Sequence, residues 1–363
     1  MRIGIDIQST TGKPSGLGYY TLNLINSLKT VDINNDYYYF KNNLFTGHLN
    51  TLERIFWEQG ILSFNSFDKN IDILHVPGFS PPVITKARLI VTVHDLIGMK
   101  MPENNLGFFS RFYWGKYLPA TVKRADLIIT DSIHSKKDIV ELLKVPEKKV
   151  RVIYLSAGNN YKPVNNPDKI AQIKTKYGIS DFKYALFVGN IEPRKNILSI
   201  IKAWSRIKEP IKLVIAGSKS KYSDTVFKTI KENNLKENII ATDYIDIKDL
   251  VYLYNGASFF IYPSLYEGFG LPVLEAMSCG IPVITSKTTS LPEITGNSAI
   301  TIDPNNIDEL FESINSLIKD DILRKNLSAK GLLKASEFSW EKTAKETLKA
   351  YREIWINTFL KRN

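Results

Sequence analysis

Short runs of β-branched and aromatic residues recur in the first half of the chain, at Ile3–Ile7, Ile71–Val76, Leu89–His94, Leu127–Thr130 and Val150–Leu155. Amphipathic stretches of helical length separate them, an alternation that predicts a parallel α/β sheet. The pattern restarts at Tyr184–Val188, Ile211–Ala216, Asn238–Thr242, Ser258–Tyr262 and Pro282–Thr285, with helical segments such as Ile197–Lys208 and Asp308–Ile318 between or after them. Two doubly wound α/β domains are therefore expected. Polar punctuation at Gly158-Asn159-Asn160, Pro163 and Asn165-Asn166-Pro167 places their boundary near residue 160, giving domains over 1–160 and 161–338. Trp340, Ala344, Leu348, Tyr351 and Trp355 fall close to helical spacing, which predicts a long amphipathic helix within 339–363. Ligands of doubly wound sheets bind beyond the carboxyl ends of the strands, so two such domains facing each other would enclose a central cleft.

Composition narrows the setting more than the chemistry. The single cysteine, Cys279, excludes an intrachain disulfide, and the four histidines are not at zinc-ligand spacing, so a reducing compartment is expected. Met-Arg-Ile-Gly-Ile-Asp-Ile reads as a first strand rather than a signal peptide. No stretch supplies the roughly 18 consecutive apolar residues of a membrane span. The expected location is the cytoplasm, with peripheral contact to the inner face of the membrane as a variant. A formal net charge of +11 favours an anionic partner. Nucleic acid, anionic lipid and phosphorylated small molecules all meet that condition.

The chemistry concentrates after the strand Ser258–Tyr262, in Pro263-Ser264-Leu265-Tyr266-Glu267-Gly268-Phe269-Gly270-Leu271-Pro272. Val273–Cys279 reads as a short helix, with Pro272 suited to its first position. The glycines let backbone approach a ligand, and the amides at the helix start offer partial positive charge to a phosphate. Glu267 and Glu275 are then carboxylates able to accept hydrogen bonds from sugar and ribose hydroxyls.

The string Ser264–Ile284 resembles the signature of the retaining glycosyltransferases of family 4, the glycogen-synthase-like group with the two-domain GT-B fold, in which two glutamates are separated by seven residues. The resemblance implies that Glu267 contacts the transferred sugar, that Glu275 contacts the ribose, and that the backbone of Phe269, Gly270 and Leu271 meets sugar and phosphate. A second match is Val188-Gly189-Asn190-Ile191-Glu192-Pro193-Arg194-Lys195-Asn196, whose Arg194-Lys195 pair would bind the donor diphosphate. Such a leaving group develops charge that Arg and Lys can neutralise without a metal. No two aspartates form Asp-x-Asp, and neither a metal nor a cofactor is expected beyond a GDP- or UDP-linked sugar.

Thr92-Val93-His94-Asp95-Leu96 resembles the family's His-Asp segment, which would set His94 near the donor sugar and outer phosphate. Ser15-Gly16-Leu17-Gly18-Tyr19-Tyr20 is placed after the first strand and before a helix, with Gly16 and Gly18 approaching phosphate or acceptor. Glu53–Gln59, His75–Gly78, Ile215-Ala216-Gly217 and Phe338–Glu341 extend the resemblance over essentially the whole chain, with Gly217 at the donor. Where the family often has glycine before the base-contacting turn, this chain has Ala241-Thr242-Asp243, followed by Tyr244 and Ile245 at the expected base contact. The aromatics of Leu106–Arg124, including Phe108, Phe109, Phe112, Tyr113 and Tyr117, recur at helical spacing. With Arg111, Phe112, Lys116, Lys123 and Arg124 on its surface this helix would lie on an anionic membrane; the same stripe also reads as packing onto the first sheet.

The resulting expectation is transfer of a hexose, with mannose weakly favoured, from a nucleoside diphosphate to a glycan or lipid-linked acceptor of bacterial-type surface polysaccharide, with nucleic acid not expected as a partner. Two alternatives stand beside it: a nicotinamide-dependent oxidoreductase, whose Gly-x-Gly fingerprint is incomplete at Thr21, and a non-catalytic binder of sugar nucleotide or nucleic acid.

Overall fold

A computed structural model of the chain describes residues 1–12, 16–42, 49–78, 80–101, 107–179 and 182–359. The chain divides into two compact units, residues 1–155 with 339–363, and residues 156–338. The division falls slightly before residue 160. The polar stretch from Ser156 belongs wholly to the second unit, where the Ser156 hydroxyl donates to the Phe338 carbonyl at 3.1 Å.

The first unit carries six strands: β1 (Arg2–Asp6), β2 (Asp36–Phe40), β3 (Ile73–Val76), β4 (Arg88–Thr92), β5 (Leu127–Thr130) and β6 (Val150–Val152). They form one parallel sheet in the order β2-β1-β3-β4-β5-β6. The second unit carries β7 (Lys183–Val188), β8 (Ile211–Ala216), β9 (Ile239–Ala241), β10 (Phe259–Tyr262), β11 (Val283–Ser286) and β12 (Ile300–Ile302). Their parallel order is β12-β11-β10-β7-β8-β9, so the winding direction reverses between β7 and β10. That reversal is the crossover point at which ligands enter doubly wound sheets.

Strands β3, β5, β10 and β11 are buried along their whole length, which is why they read as continuous apolar runs. Strands β2 and β12 are absent from the sequence-based expectation for the complementary reason. β2 is three half-exposed tyrosines between Asp36 and Phe40, and in β12, Ile300-Thr301-Ile302, only Ile302 is buried.

The helix Trp340–Phe359 packs on the helix Gly16–Val31 and so completes the first unit. Its buried face holds Trp340, Ala344, Leu348 and Tyr351 of the predicted stripe, while Trp355 is only half-buried. A buried polar chain pins it. The Tyr351 hydroxyl and His75 Nδ1 are 2.7 Å apart, His75 Nε2 and Thr92 Oγ1 2.8 Å, and Thr92 Oγ1 and the Tyr20 hydroxyl 3.1 Å. Burial, aided by the neighbouring His94, pushes His75 down to about 3, so the imidazole is neutral. Among the described residues no helix is long and apolar enough to cross a membrane.

Replacing Tyr351 by Phe removes one member of this chain and leaves a buried His75 nitrogen unpaired. The expected loss is about 1–3 kcal/mol of stability, read from urea unfolding. A loss below about 0.5 kcal/mol would show that the chain does not hold the terminal helix.

Candidate active site

The candidate site of the second unit is built where β7 and β10 run side by side. After β7 the chain turns at Gly189, and after β8 at Gly217, and these two backbones touch. A Cβ on Gly217 would lie 1.9 Å from the Gly189 carbonyl oxygen, so only glycine fits there. Asp243 takes up the part of the missing family glycine. Its φ of 57° is left-handed, a conformation Asp tolerates, and its carbonyl accepts the Gly217 amide at 3.0 Å. Ile245 beside it is buried, whereas Tyr244 is 57% exposed.

Pro193–Lys195 forms a single tight helical turn that delivers Arg194 and Lys195 towards the loop after β10. Oε1 of Glu267 gathers them. It accepts from Lys195 Nζ at 2.6 Å, from Arg194 Nη1 at 3.0 Å and from Ser264 Oγ at 2.6 Å. Arg194 Nε also donates to Glu192 at 3.0 Å, and Lys195 donates to the Tyr262 hydroxyl at the end of β10. Burial alone would raise the Glu267 carboxyl, but Lys195, Arg194 and Ser264 outweigh it and hold the group at about 2. Glu267 is therefore ionised throughout the physiological range and cannot serve as a general acid.

The glycine loop then enters the helix Leu271–Ser278. Gly270, with φ of 107°, precedes it, and a Cβ there would meet Leu291 at 2.6 Å. No side chain caps this helix start; Pro272 has no amide hydrogen and the Val273 amide donates to the Gly270 carbonyl at 3.0 Å, so the first turn presents the Leu271 amide and the positive end of the helix dipole. The Ser290 hydroxyl fixes the loop by donating to the carbonyls of Glu267, at 3.0 Å, and Phe269, at 2.8 Å.

Glu275, one turn on, is held by the Tyr254 hydroxyl, 3.0 Å from Oε2, and by Tyr161. Burial pushes its carboxyl up to about 7, against the lowering effect of the two tyrosines. The two glutamates thus differ in kind, one a permanent anion and the other at the edge of protonation.

Asn196 departs from the expected donor contact. Its side-chain amide donates to the carbonyls of Pro263 (3.1 Å) and Pro304 (2.6 Å), and its oxygen accepts from Ser199 (2.7 Å), so it fastens loops together. In the first unit, Gly16 and Gly18 lie in the first turn of the helix Gly16–Val31 rather than in a loop before it. Ser15 and Leu106 fall outside the described residues, as does the side chain of Phe108.

His94 follows β4, and its Nδ1 lies 2.6 Å from Asp131 Oδ2. Burial would depress the imidazole, yet Asp131 and, more weakly, Asp95 and the Pro77 carbonyl hold it above its ordinary value. Tyr20 packs edge-on against the ring at 4.6 Å. Asp131 was not singled out in the sequence, although it directly follows β5, at the carboxyl end where functional groups collect. Ser264, Tyr262 and Tyr254 were missed in the same way.

The segment after residue 106 divides its aromatics between both expectations. Tyr113, Leu118 and Val122 are buried, while Phe109 (54%) and Phe112 (44%) are exposed together with Arg111, Lys116, Lys123 and Arg124. It is helical from Phe108 to Val122, with a π-helical turn at Tyr113–Tyr117.

Comparison with known proteins identifies the class. Over 97% of this chain and 100% of the other, the fold superposes on Anabaena Alr3699/HepE, solved in complex with UDP and glucose, with a TM-score of 0.75 at 19% identity. The two parallel sheets are thus those of a GT-B glycosyltransferase. Residues 37–156 match the model described as Glycosyltransferase Family 4, and residues 169–334 match Glycosyl transferases group 1. The chain is also 35% identical over 286 residues to O-antigen chain mannosyltransferase B of Escherichia coli, covering 77% of this chain and 74% of that one. The match to the Escherichia coli serotype-specific mannosyltransferase WbdA is 29% identical and covers 74% of this chain but only 34% of that protein. The chain belongs to the family 4, group 1 glycosyltransferases and is an enzyme of that kind.

The raised pKa of Glu275 has a stability consequence of definite sign. The folded state keeps a proton that the unfolded chain releases from about 4.5 upward, so the group's contribution to stability falls as pH rises from about 4.5 to about 7. Glu275→Gln cannot release that proton. Thermal unfolding across this window is expected to show wild type losing stability relative to Glu275→Gln as pH rises; parallel curves would contradict the assignment.

Proposed function

We propose that this enzyme transfers a hexose, mannose in the first instance, from a GDP- or UDP-linked donor to a glycan or lipid-linked acceptor in surface-polysaccharide synthesis, with retention of anomeric configuration. The observation that carries the reading is the Glu267 cluster. It places a guanidinium and an ammonium beside an uncapped helix start, at the crossover of the second unit's sheet. Cations and oriented amides that converge in this way suit a diphosphate leaving group. Mannose is favoured because the 35% identical relative is named a mannosyltransferase.

Neither glutamate suits a double displacement. Glu267 Oε1 is committed to three donors, and Glu275 is tied to Tyr254 and Tyr161. A front-face substitution fits better. The bond from the anomeric carbon to the phosphate oxygen breaks, the acceptor oxygen bonds to the same face of that carbon, and the acceptor's proton passes to the departing phosphate. Arg194, Lys195 and the Leu271 amide stabilise the developing charge, while the turns at Gly189, Gly217 and Gly270 border the donor. Glu275 accepts ribose hydroxyls, and Tyr244 and Ile245 border the base. His94, oriented by Asp131 and raised above its ordinary pKa by it, donates to the sugar or the outer phosphate. Peripheral membrane contact through Phe109, Phe112 and the exposed basic residues around them would bring a lipid-linked acceptor within reach.

With the accepted nucleotide sugar found by screening hydrolysis, Arg194→Ala and Lys195→Ala are each expected to lower kcat by about 100-fold or more. Turnover within about threefold of wild type would refute the charge-stabilising role. Product analysis by NMR is expected to show the donor's anomeric configuration, and an inverted product would refute retention.

A further inference from the structure

Hydroxyl side chains crowd the segment that ends β11 and turns into the helix Leu291–Thr295, in the order Thr285-Ser286-Lys287-Thr288-Thr289-Ser290. Most of them bond the backbone that follows β10 rather than their own surroundings. Thr285 Oγ1 donates to the Tyr262 carbonyl at 2.9 Å, Ser286 Oγ to the Ser264 carbonyl at 2.6 Å, and Ser290 Oγ to the carbonyls of Glu267 and Phe269. Thr289 acts in the opposite sense. Its Oγ1 accepts the Glu267 amide at 3.3 Å. Two consecutive residues thus hold the amide and the carbonyl of Glu267, while Ser264, Lys195 and Arg194 hold its carboxylate.

That double hold runs against two local preferences. Thr289 has a φ of 59°, in the left-handed region, where a β-branched side chain is crowded against its own backbone and glycine is not. Ser290 stands at the N-cap of the helix Leu291–Thr295, where serine ordinarily accepts a backbone amide of the first turn, yet it makes no cap bond. Both departures serve Glu267. In an extended chain consecutive side chains face opposite ways, so Thr289 and Ser290 reach one residue only where the chain breaks from that geometry. The left-handed turn at Thr289 is the break. It also brings Leu291 so close to Gly270 that a Cβ there would lie 2.6 Å from the leucine. Strained backbone persists only where the surroundings over-determine it, and it concentrates at functional sites.

We propose that Thr289 is a positioning residue for glycosyl transfer: its hydroxyl and its strained turn fix the Glu267 peptide, and through it the carboxylate that gathers Arg194 and Lys195. A rotation of that peptide would move Oε1 against three donors at once. Misplacement of a reacting or charge-stabilising group by about 1 Å can cost about 100-fold in rate. The catalytic consequence rests on the transfer reading above; the hold on Glu267 does not.

Four full-length chains separate hydroxyl from strain: wild type, Thr289→Ser, which keeps the hydroxyl and sheds the branch, Thr289→Val, which keeps the branch and loses the hydroxyl, and Thr289→Gly, which sheds both. Activity is expected to follow the hydroxyl. With the nucleotide sugar that wild type accepts, Thr289→Val and Thr289→Gly should lower kcat about tenfold with KM changed less than about threefold, and Thr289→Ser should stay within about twofold. Stability is expected to follow the branch, with the melting midpoint of Thr289→Gly about 2 °C or more above wild type and that of Thr289→Val no higher than wild type. Thr289→Val with wild-type turnover, or kcat falling in step with the melting midpoint across the four chains, would overturn the proposal and leave Thr289 a packing residue. Amide exchange over residues 264–270, read by mass spectrometry, needs no substrate. It should be faster by about threefold or more in Thr289→Val and Thr289→Gly and match wild type in Thr289→Ser, and unchanged exchange in Thr289→Val would overturn the hold itself. Exchange that follows the hydroxyl in a chain that hydrolyses no nucleotide sugar keeps the hold on Glu267 and removes the transfer reading.

Discussion

One buried carboxylate oxygen, Glu267 Oε1, accepts from Ser264, Lys195 and Arg194, and the organisation of the second unit's site depends on it. Two cations withdrawn from water next to each other repel and lose hydration; Lys195 is 6% exposed. Burial pulls Lys195 below its ordinary pKa, with Arg194 adding to the effect and Glu267 opposing it. Ion pairs of this kind are stabilising only when their geometry and hydrogen bonds are complete, and removing one partner leaves a buried charge uncompensated at a cost of about 3–5 kcal/mol. The carboxylate therefore opposes that lowering of Lys195 and holds both cations in place before any ligand arrives, which is the condition for electrostatic catalysis.

The fold supplies that condition through topology. β7 and β10 are neighbours at the sheet's reversal although far apart in sequence, so the turn after β7 and the loop after β10 emerge side by side. Contacts without side chains complete the approach, at Gly217 against Gly189 and at Gly270 before the helix Leu271–Ser278. The same logic operates in the first unit with different groups: His94 and Asp131 stand just after the neighbouring strands β4 and β5, and their pairing raises the imidazole above its ordinary pKa.

What could be read in the sequence follows from these physical facts. Buried central strands such as β5 and β8 announce themselves as apolar runs, and the helix Trp340–Phe359 by its stripe. β2, three half-exposed tyrosines, and β12, with one buried residue, carry no such signal. Arg194, Lys195, Glu267 and Glu275 were visible because glycines and charges sit together in short strings. Their mutual arrangement was not, since the Arg194–Glu267 bond spans 73 residues of sequence. Asn196 shows the opposite limit: its motif suggested a ligand contact, but its left-handed backbone and three side-chain bonds commit it to holding loops. The Glu53–Gln59 string favoured mannose by resemblance alone, and its bonds to Ser80 and Tyr117 were not legible because those partners lie 22 and 58 residues further on.

Binding of GDP and UDP to Glu267→Gln, measured by calorimetry near pH 8, tests the central claim most directly because two simple expectations have opposite signs. Coulomb's law alone says that deleting a negative charge beside the site should tighten binding of an anion. If Glu267 instead holds both cations aimed at the site, the variant should bind the accepted nucleotide about tenfold more weakly than wild type. Unchanged or tighter binding by Glu267→Gln would contradict the account.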